Sequence, residues 1–175
     1  MVNVLTSGAW TRVEPDEVSF FTGLGTSEIR WGDVPYDQKS GYSFEGHVTD
    51  LQLDGNDFLL GTFTHHNQPI PFTGDFALYL AVIVNFDDGS LQHPLPLLGF
   101  HHTETPNQGP HPDDIVDLPT VQEQDLVYVD NVEYRLVISG FLWQKQKVTQ
   151  FDSPEGGSNS AGIFARMEAT GRKGA

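Results

Sequence analysis

Short apolar segments bounded by turn-forming residues dominate the hydrophobic pattern of the chain. Phe58–Phe63, Leu95–Phe100 and Tyr134–Leu142 are rich in β-branched or aromatic residues, and clusters such as Asp54-Gly55-Asn56 separate the segments. No window of about 11–18 residues repeats apolar residues at helical spacing. Many short strands, spaced roughly 8–12 residues apart, are typical of an antiparallel sandwich or barrel.

Two segments indicate which faces of the strands are buried. Phe76–Phe86 is almost continuously apolar, which predicts a central strand that is buried on both faces. Ser40–His47 alternates between apolar and polar residues, which suits a half-exposed strand. We therefore predict an all-β fold, a jelly-roll-like sandwich of two antiparallel sheets. It forms one domain over residues 1–175, with a flexible tail at 170–175.

Composition excludes several classes of protein. The chain has 12 Phe, 5 Tyr and 3 Trp, enough large side chains for a core, and 18 Gly and 11 Pro, which would interrupt helices. A net charge of −15 argues against nucleic acid and anionic membranes as partners. The absence of Cys removes disulfides, thiol nucleophiles and Cys-ligated zinc. No run of about 18 apolar residues predicts a membrane span, and the first ten residues lack a signal-peptide pattern.

Four of the seven His residues fall in two doublets, each within or beside a predicted strand. Because adjacent side chains of a strand point to opposite faces, only one His of each doublet faces a given site. His65 then shares a face with Asn67, and His102 shares a face with Glu104. Convergence of His65, His102 and Glu104 would suit a transition metal. The alternative is structural, with these groups bonded to loop backbone.

Acidic turns supply candidate oxygen ligands for Ca²⁺, which prefers several carboxylate, amide and carbonyl oxygens. No EF-hand pattern is present, and the same clusters are also ordinary hairpin turns. The candidate calcium ligands are Asp50, Asp54, Asn56, Asp57, Asp87, Asp88 and Asp114.

Catalytic motifs are weaker. The sequence has no G-x-S-x-G elbow, which argues against an acyl-transfer triad. A polysaccharide hydrolase would use a transition metal held by His65, His102 and Glu104, or a carboxylate pair. Candidate pairs are Glu45 with Glu104 and Glu155 with Glu133. This class of enzyme remains an alternative.

Aromatic residues near predicted strand ends are candidates for ligand contact. Trp31 and Tyr36 lie beside loops that also carry Asp, Asn and Gln, and such sets stack on sugar rings or pack against peptides. Trp31 sits beside apolar residues, which favours a place at the edge of the core over ligand contact. The loops 33–39 and 103–112 would form the rim of the site.

An ordered series of motifs resembles the choice-of-anchor K domain. The segment Phe58–Ile70, FLLGTFTHHNQPI, is similar to the family's central F-x-L-G-x-F-T-H-x-N-x-P-I signature. The other matching segments are Ile29–Gly32, Ser40–Phe44, His102–Asn107, Asp114–Leu118 and Tyr134–Phe141. The resemblance covers residues 26–168, and several motifs in order make it more specific than one short pattern.

The resemblance implies a domain of a bacterial extracellular or cell-surface protein, because members of this family are joined to alternative anchoring segments. It assigns no enzymatic activity. The polar residues that match its pattern form either one structural network or one ligand site. These residues are His65, Asn67, His102, Glu104, Asn107 and Asp114. We predict a non-catalytic binding or adhesion module for a glycan or peptide, stabilised by Ca²⁺. A self-associating structural subunit is the second alternative.

Overall fold

The computed structural model describes residues 2–15, 20–51, 53–86, 92–110, 112–123 and 126–173. These residues form β-strands and one short 3-10 helix, Tyr36–Gln38. The strands are β1 Val2–Glu14, β2 Glu28–Trp31, β3 Ser40–Gly46, β4 Val48–Leu51, β5 Phe58–Asn67, β6 Gly74–Phe86, β7 Gln92–Glu104, β8 Asp114–Asp117, β9 Thr120–Glu123, β10 Val127–Val129, β11 Val132–Trp143, β12 Gln146–Val148, β13 Gln150–Ser153 and β14 Gly157–Lys173. In this part of the chain, no helix has the length and apolar character needed to cross a bilayer.

The strands form two antiparallel sheets that pack against each other. The first sheet has the order β13-β8-β7-β6-β1-β4, with β9 paired to β7. The second sheet has the order β10-β11-β14-β5-β3-β2, with β12 paired to β11. The prediction of an all-β, two-sheet antiparallel sandwich is confirmed.

Aromatic rings from both sheets fill the space between them. Phe63 of β5 stacks on Phe100 of β7, with ring centroids 5.0 Å apart, so this pair joins the two sheets. Trp10 of β1 packs on Phe100 at 5.3 Å, and Tyr42 of β3 packs on Phe63 at 4.6 Å. Large rings give the core much of its buried apolar area. The aromatic content of the sequence is therefore used mainly in the core.

Strand β6 is central, as its apolar run predicts, but the prediction that both its faces are buried is wrong. Leu78, Leu80 and Val82 face the core, whereas Ile83 on the outer face is 36% exposed. An antiparallel sheet of a two-layer sandwich buries one face and leaves the other in contact with water. Tyr79 on this outer face is covered by the Arg12 guanidinium, 4.0 Å above its ring.

The last strand is longer than the sequence indicates. β14 lies between β11 and β5, and it continues through residues 170–173, which the sequence assigns to a flexible tail. Val132 of β11 lies opposite Lys173, and the Thr170 hydroxyl donates to the Glu133 carboxylate. Pairing with a long neighbouring strand holds this segment in place. Residues 174 and 175 lie outside the described chain.

Candidate functional site

Polar side chains converge inside one end of the sandwich, where β5, β7 and β8 end or begin. We call the residues His65, Asn67, His102, Glu104 and Asp114 the interior cluster. Each is no more than 1% exposed, in a core that is otherwise largely apolar. Burying so many ionisable groups is costly unless they are paired, protonated or bound to a metal. The cluster therefore needs a physical explanation beyond packing.

The His doublets divide as strand alternation predicts. On β5, His65 points inward, whereas His66 is only partly buried and bonds to the Ser43 hydroxyl at 3.1 Å. On β7, His102 is buried, whereas His101 is exposed and lies 3.1 Å from the Asp117 carboxylate. Each doublet thus contributes one imidazole to the interior and one to the surface. This arrangement provides a surface neighbour for each interior His.

A chain of hydrogen bonds orients two members of the cluster. The Tyr42 hydroxyl lies 2.6 Å from His102 Nδ1, which leaves Nε2 directed toward the carboxylates. Trp31 Nε1–H donates to Glu104 Oε2 at 2.9 Å, and His102 Nε2 lies 3.1 Å from the same oxygen.

The structural alternative expected the imidazoles and amides to bond to loop backbone. Among the described residues, neither His65 nor His102 has a side-chain bond to backbone, whereas the Asn67 amide donates to the Ser153 carbonyl at 2.7 Å.

Several buried atoms of the cluster have no hydrogen-bond partner among the described groups. They are both ring nitrogens of His65, Asn67 Oδ1, Glu104 Oε1 and Asp114 Oδ2. His65 Nε2 and His102 Nε2 lie 3.8 and 3.7 Å from Asp114 Oδ2, too far for a hydrogen bond. The other oxygen of Asp114 accepts the Thr105 backbone N–H at 2.9 Å, so that carboxylate is held in one orientation.

Burial also governs the protonation of these groups. Desolvation lowers the pKa of His102 to about 3 and holds the pKa of His65 well below its usual value, so both imidazoles are neutral. Desolvation raises the pKa of Glu104. It also raises the pKa of Asp114, and repulsion from Glu104 adds to that rise. The cluster thus favours neutral carboxyl groups unless a cation balances them.

The interior cluster can hold a metal ion. His65, His102 and Asp114 each offer one ligand atom, and these atoms lie within 4.8 Å of one another. Glu104, Asp114 and the partly buried Glu155 form a second group that meets the same criterion. Among the described residues, these two groups are the ones that bring three such ligands together. Asp114, predicted as a calcium ligand, belongs to both.

The other predicted calcium ligands lie elsewhere. Asp54 accepts hydrogen bonds from the Asn56 backbone N–H and side-chain amide, at 3.1 and 2.8 Å, which is the geometry of an Asx turn. Asp57 pairs with Lys147. These contacts account for Asp54 and Asp57 as turn and ion-pair residues.

Asp50, the first of these acids, is exposed on β4 and accepts a hydrogen bond from the Asn3 amide at 3.4 Å. It belongs to neither group of three ligands described above. Asp87 and Asp88 lie outside the described residues. Calcium binding at these turns therefore stays a prediction.

The predicted ligand-contact residues differ in exposure. Trp31 is fully buried against the cluster, with its ring stacked on His65 at a centroid distance of 6.0 Å. Tyr36 is 62% exposed and donates to the Glu28 carboxylate at 3.2 Å. Asn107 is partly buried, and its amide donates to the Ile70 carbonyl at 2.8 Å. Of the predicted ligand-contact residues, Tyr36 is the one whose aromatic ring is exposed.

The two carboxylate pairs considered for a hydrolase are not assembled as pairs. Glu45 is exposed on β3, whereas Glu104 is buried. Glu133 accepts hydrogen bonds from Tyr128 and Thr170, whereas Glu155 lies beside the interior cluster.

Sequence reasoning also missed two neighbours of the interior cluster. Tyr42 bonds to His102, and Glu155 belongs to the second ligand group. The signal for Tyr42 is its place on the same face of an alternating strand as the buried Phe44. No comparable signal marks Glu155, because it follows the end of β13.

A comparison with protein-family models finds no match, and a comparison with curated proteins finds none either. The resemblance to the choice-of-anchor K domain stays a prediction, based on the motifs quoted above.

Proposed function

We propose that this chain is a non-catalytic binding or adhesion module of a bacterial extracellular protein. Its ligand site is the rim of loops at the end of the sandwich that contains the interior cluster. The observation that carries this proposal is Tyr36, whose ring is 62% exposed on the loop that follows β2. An exposed, anchored aromatic ring is a typical platform for a sugar or a peptide side chain.

The two rim loops form one continuous surface, because segment 68–70 contacts the end of loop 33–39 on one side and loop 103–112 on the other. The Ser40 hydroxyl donates to the Gln68 carbonyl at 3.0 Å, and the Asn107 amide donates to the Ile70 carbonyl at 2.8 Å. Gly32 packs so closely on Ile70 that an added Cβ would lie 3.0 Å from its Cγ2 atom. Loops positioned by a rigid sandwich are common binding surfaces.

Burial of the titratable residues supports a non-catalytic role. A glycosidase places two carboxyl groups on either side of the bond that it cleaves. Here Glu104 and Asp114 are at most 1% exposed, and Trp31 bonds directly to Glu104. A polymeric substrate would not reach either carboxyl group. The extracellular location is carried by the family resemblance alone.

A glycan array and a peptide-display screen test this proposal with the wild type and two tyrosine variants. We expect a glycan or peptide hit whose affinity falls by about tenfold or more in Tyr36→Ala. Tyr128→Ala is the matched control, because Tyr128 is also exposed and also donates to a glutamate. The absence of any hit, or an equal loss in both variants, contradicts the proposal.

A specific surface favours self-association as a second candidate function. Leu5 of β1 and Val48 of β4 lie opposite each other, and they are 50% and 68% exposed. Strand β4 is at the edge of its sheet, where exposed apolar residues favour pairing with another chain. Light scattering over a concentration series tests this idea. An oligomer that Val48→Lys dissociates would support it, whereas a monomer at high concentration would contradict it.

A further inference from the structure

We propose that the interior cluster is a structural site for one divalent transition-metal ion, with zinc as the reference metal. The ligands are His65 Nε2, His102 Nε2 and Asp114 Oδ2, and Glu104 supplies the fourth. This site lies beneath the ligand-binding rim and does not depend on it. Its role is to fasten the two sheets to each other.

The distances between ligand atoms fit one small ion. Zinc bonds of about 2.0–2.1 Å in a tetrahedron place ligand atoms about 3.3 Å apart. His65 Nε2 and His102 Nε2 lie 3.8 and 3.7 Å from Asp114 Oδ2. His102 Nε2 lies 3.1 Å from Glu104 Oε2. These three separations differ from tetrahedral spacing by at most about half an ångström, and the ligand atoms of His65, His102 and Asp114 all lie within 4.8 Å of one another. Glu104 belongs to the second ligand group, so its carboxylate must move toward His65 to complete the tetrahedron.

Neighbouring groups already hold the ligands in the required orientation. Tyr42 contacts His102 Nδ1, so an Nδ1–H donated to its hydroxyl oxygen leaves the Nε2 lone pair free for the metal. The Thr105 N–H occupies Asp114 Oδ1 and leaves Oδ2 without a partner. His65 is fully buried with both ring nitrogens unpartnered. A buried, unpartnered imidazole aimed at a carboxylate is the independent sign of a ligand.

Charge and donor type select the class of metal. Two neutral imidazoles with two carboxylates carry a charge that one divalent cation cancels, which removes the penalty of burying the carboxylates. Imidazole nitrogens suit zinc, iron, copper or nickel, and the two carboxylates also admit manganese, whereas calcium takes six to eight oxygens. The cluster therefore differs from the acidic turns in the ion that it accepts.

The position of the ligands explains a structural role. His65 belongs to β5 of the second sheet, whereas His102 and Glu104 belong to β7 and Asp114 to β8 of the first. One ion would thus cross-link the sheets at the end of the sandwich. Trp31 packs over both imidazoles, with ring centroids 6.0 and 5.1 Å away. Because the site is enclosed, we expect the metal to enter during folding.

The test is to refold the full chain with Zn²⁺, Mn²⁺ or Ca²⁺, remove loosely bound metal, and measure metal content and melting temperature. We expect one equivalent of Zn²⁺ or Mn²⁺ and a higher melting temperature, since an ion that binds the native state stabilises it. His65→Gln and His102→Gln should weaken affinity by more than about 100-fold. The surface neighbours are the matched controls, so His66→Gln and His101→Gln should stay within about twofold.

A milder variant keeps the test decisive where an interior His variant fails to fold. Tyr42→Phe retains the ring and removes only the group that contacts His102, so we expect metal affinity to fall by about 10- to 100-fold. Absence of bound metal in the wild type overturns the proposal. So does equal binding of Ca²⁺, unchanged affinity in Tyr42→Phe, or a loss in the surface variants as large as in the interior ones.

Discussion

Glu104→Gln is the substitution whose effect should change sign when metal is supplied. The variant keeps an oxygen that can accept the Trp31 Nε1–H bond, now 2.9 Å long, and nearly the same volume, but it removes a buried carboxyl group. Without metal, that carboxyl group opposes folding, because burial disfavours its charged form and so raises its pKa. With metal, the same carboxylate is a ligand. Stability should therefore rise in the absence of metal and fall in its presence.

The magnitude follows from the burial of Glu104. Relieving a buried, poorly satisfied carboxyl group is worth about 1–3 kcal/mol in free energy of unfolding. For a domain of this size that corresponds to a rise in melting temperature of roughly 3–10 °C. Zinc at a hundred times its dissociation constant would stabilise the wild type by about 2.7 kcal/mol, most of which the variant forgoes. The two effects are similar in size, so the order of melting temperatures should reverse.

Calorimetry in EDTA and in excess zinc measures both effects. Burial raises the pKa of Glu104 to about 7 in the folded state, so wild-type stability is lost as pH rises through that value. The advantage of the variant in EDTA should therefore grow from the ordinary glutamate pKa up to about pH 7 and stay constant above it. Glu45→Gln is the control, because it removes the same charge from an exposed position. Destabilisation by Glu104→Gln in EDTA, or an unchanged order in zinc, would refute this reasoning.

Two further predictions concern packing and surface charge. Gly61→Ala would place a Cβ 2.2 Å from the Phe44 ring, so we expect urea denaturation to show a loss of about 1–3 kcal/mol in free energy of unfolding. Gly157→Ala is the control, because its Cβ has no atom within 4 Å and should cost less than about 0.5 kcal/mol. Equal losses in the two variants would contradict this packing. Arg30 donates to Glu28 at 2.6 Å and lowers its pKa. The stability that this ion pair contributes is present above the ordinary glutamate pKa and disappears as pH falls through the lowered pKa of Glu28. Glu28→Gln should cost up to about 1 kcal/mol at neutral pH and nothing in acid; a difference that persists in acid would argue against the ion pair.

The central strands could be predicted from local pattern, whereas two long strands could not. Phe76–Phe86 reads as a strand because its apolar residues are continuous, and it lies in the middle of the first sheet. β1 and β14 mix small, polar and apolar residues, and β14 contains glycines at 157, 162 and 171. Their strand conformation depends on the neighbours with which they pair, because strand propensity is set largely by context.

The candidate site was predictable within each strand but not between strands. Alternation alone places His65 with Asn67 and His102 with Glu104. It does not show that Asp114 joins them, because that contact requires β8 to pair beside β7. It also assigns no partner to Tyr42, whose bond to His102 crosses from one sheet to the other. Packing between sheets decides these contacts, and local sequence does not encode it.

A crystal structure of the protein refolded with zinc, with anomalous data at the zinc edge, tests the central claim most directly. We predict one anomalous peak in the interior, about 2.0–2.2 Å from His65 Nε2, His102 Nε2 and Asp114 Oδ2. A peak confined to the surface residues His66 or His101, or no peak between the two sheets, would contradict the claim that the interior cluster is a metal site.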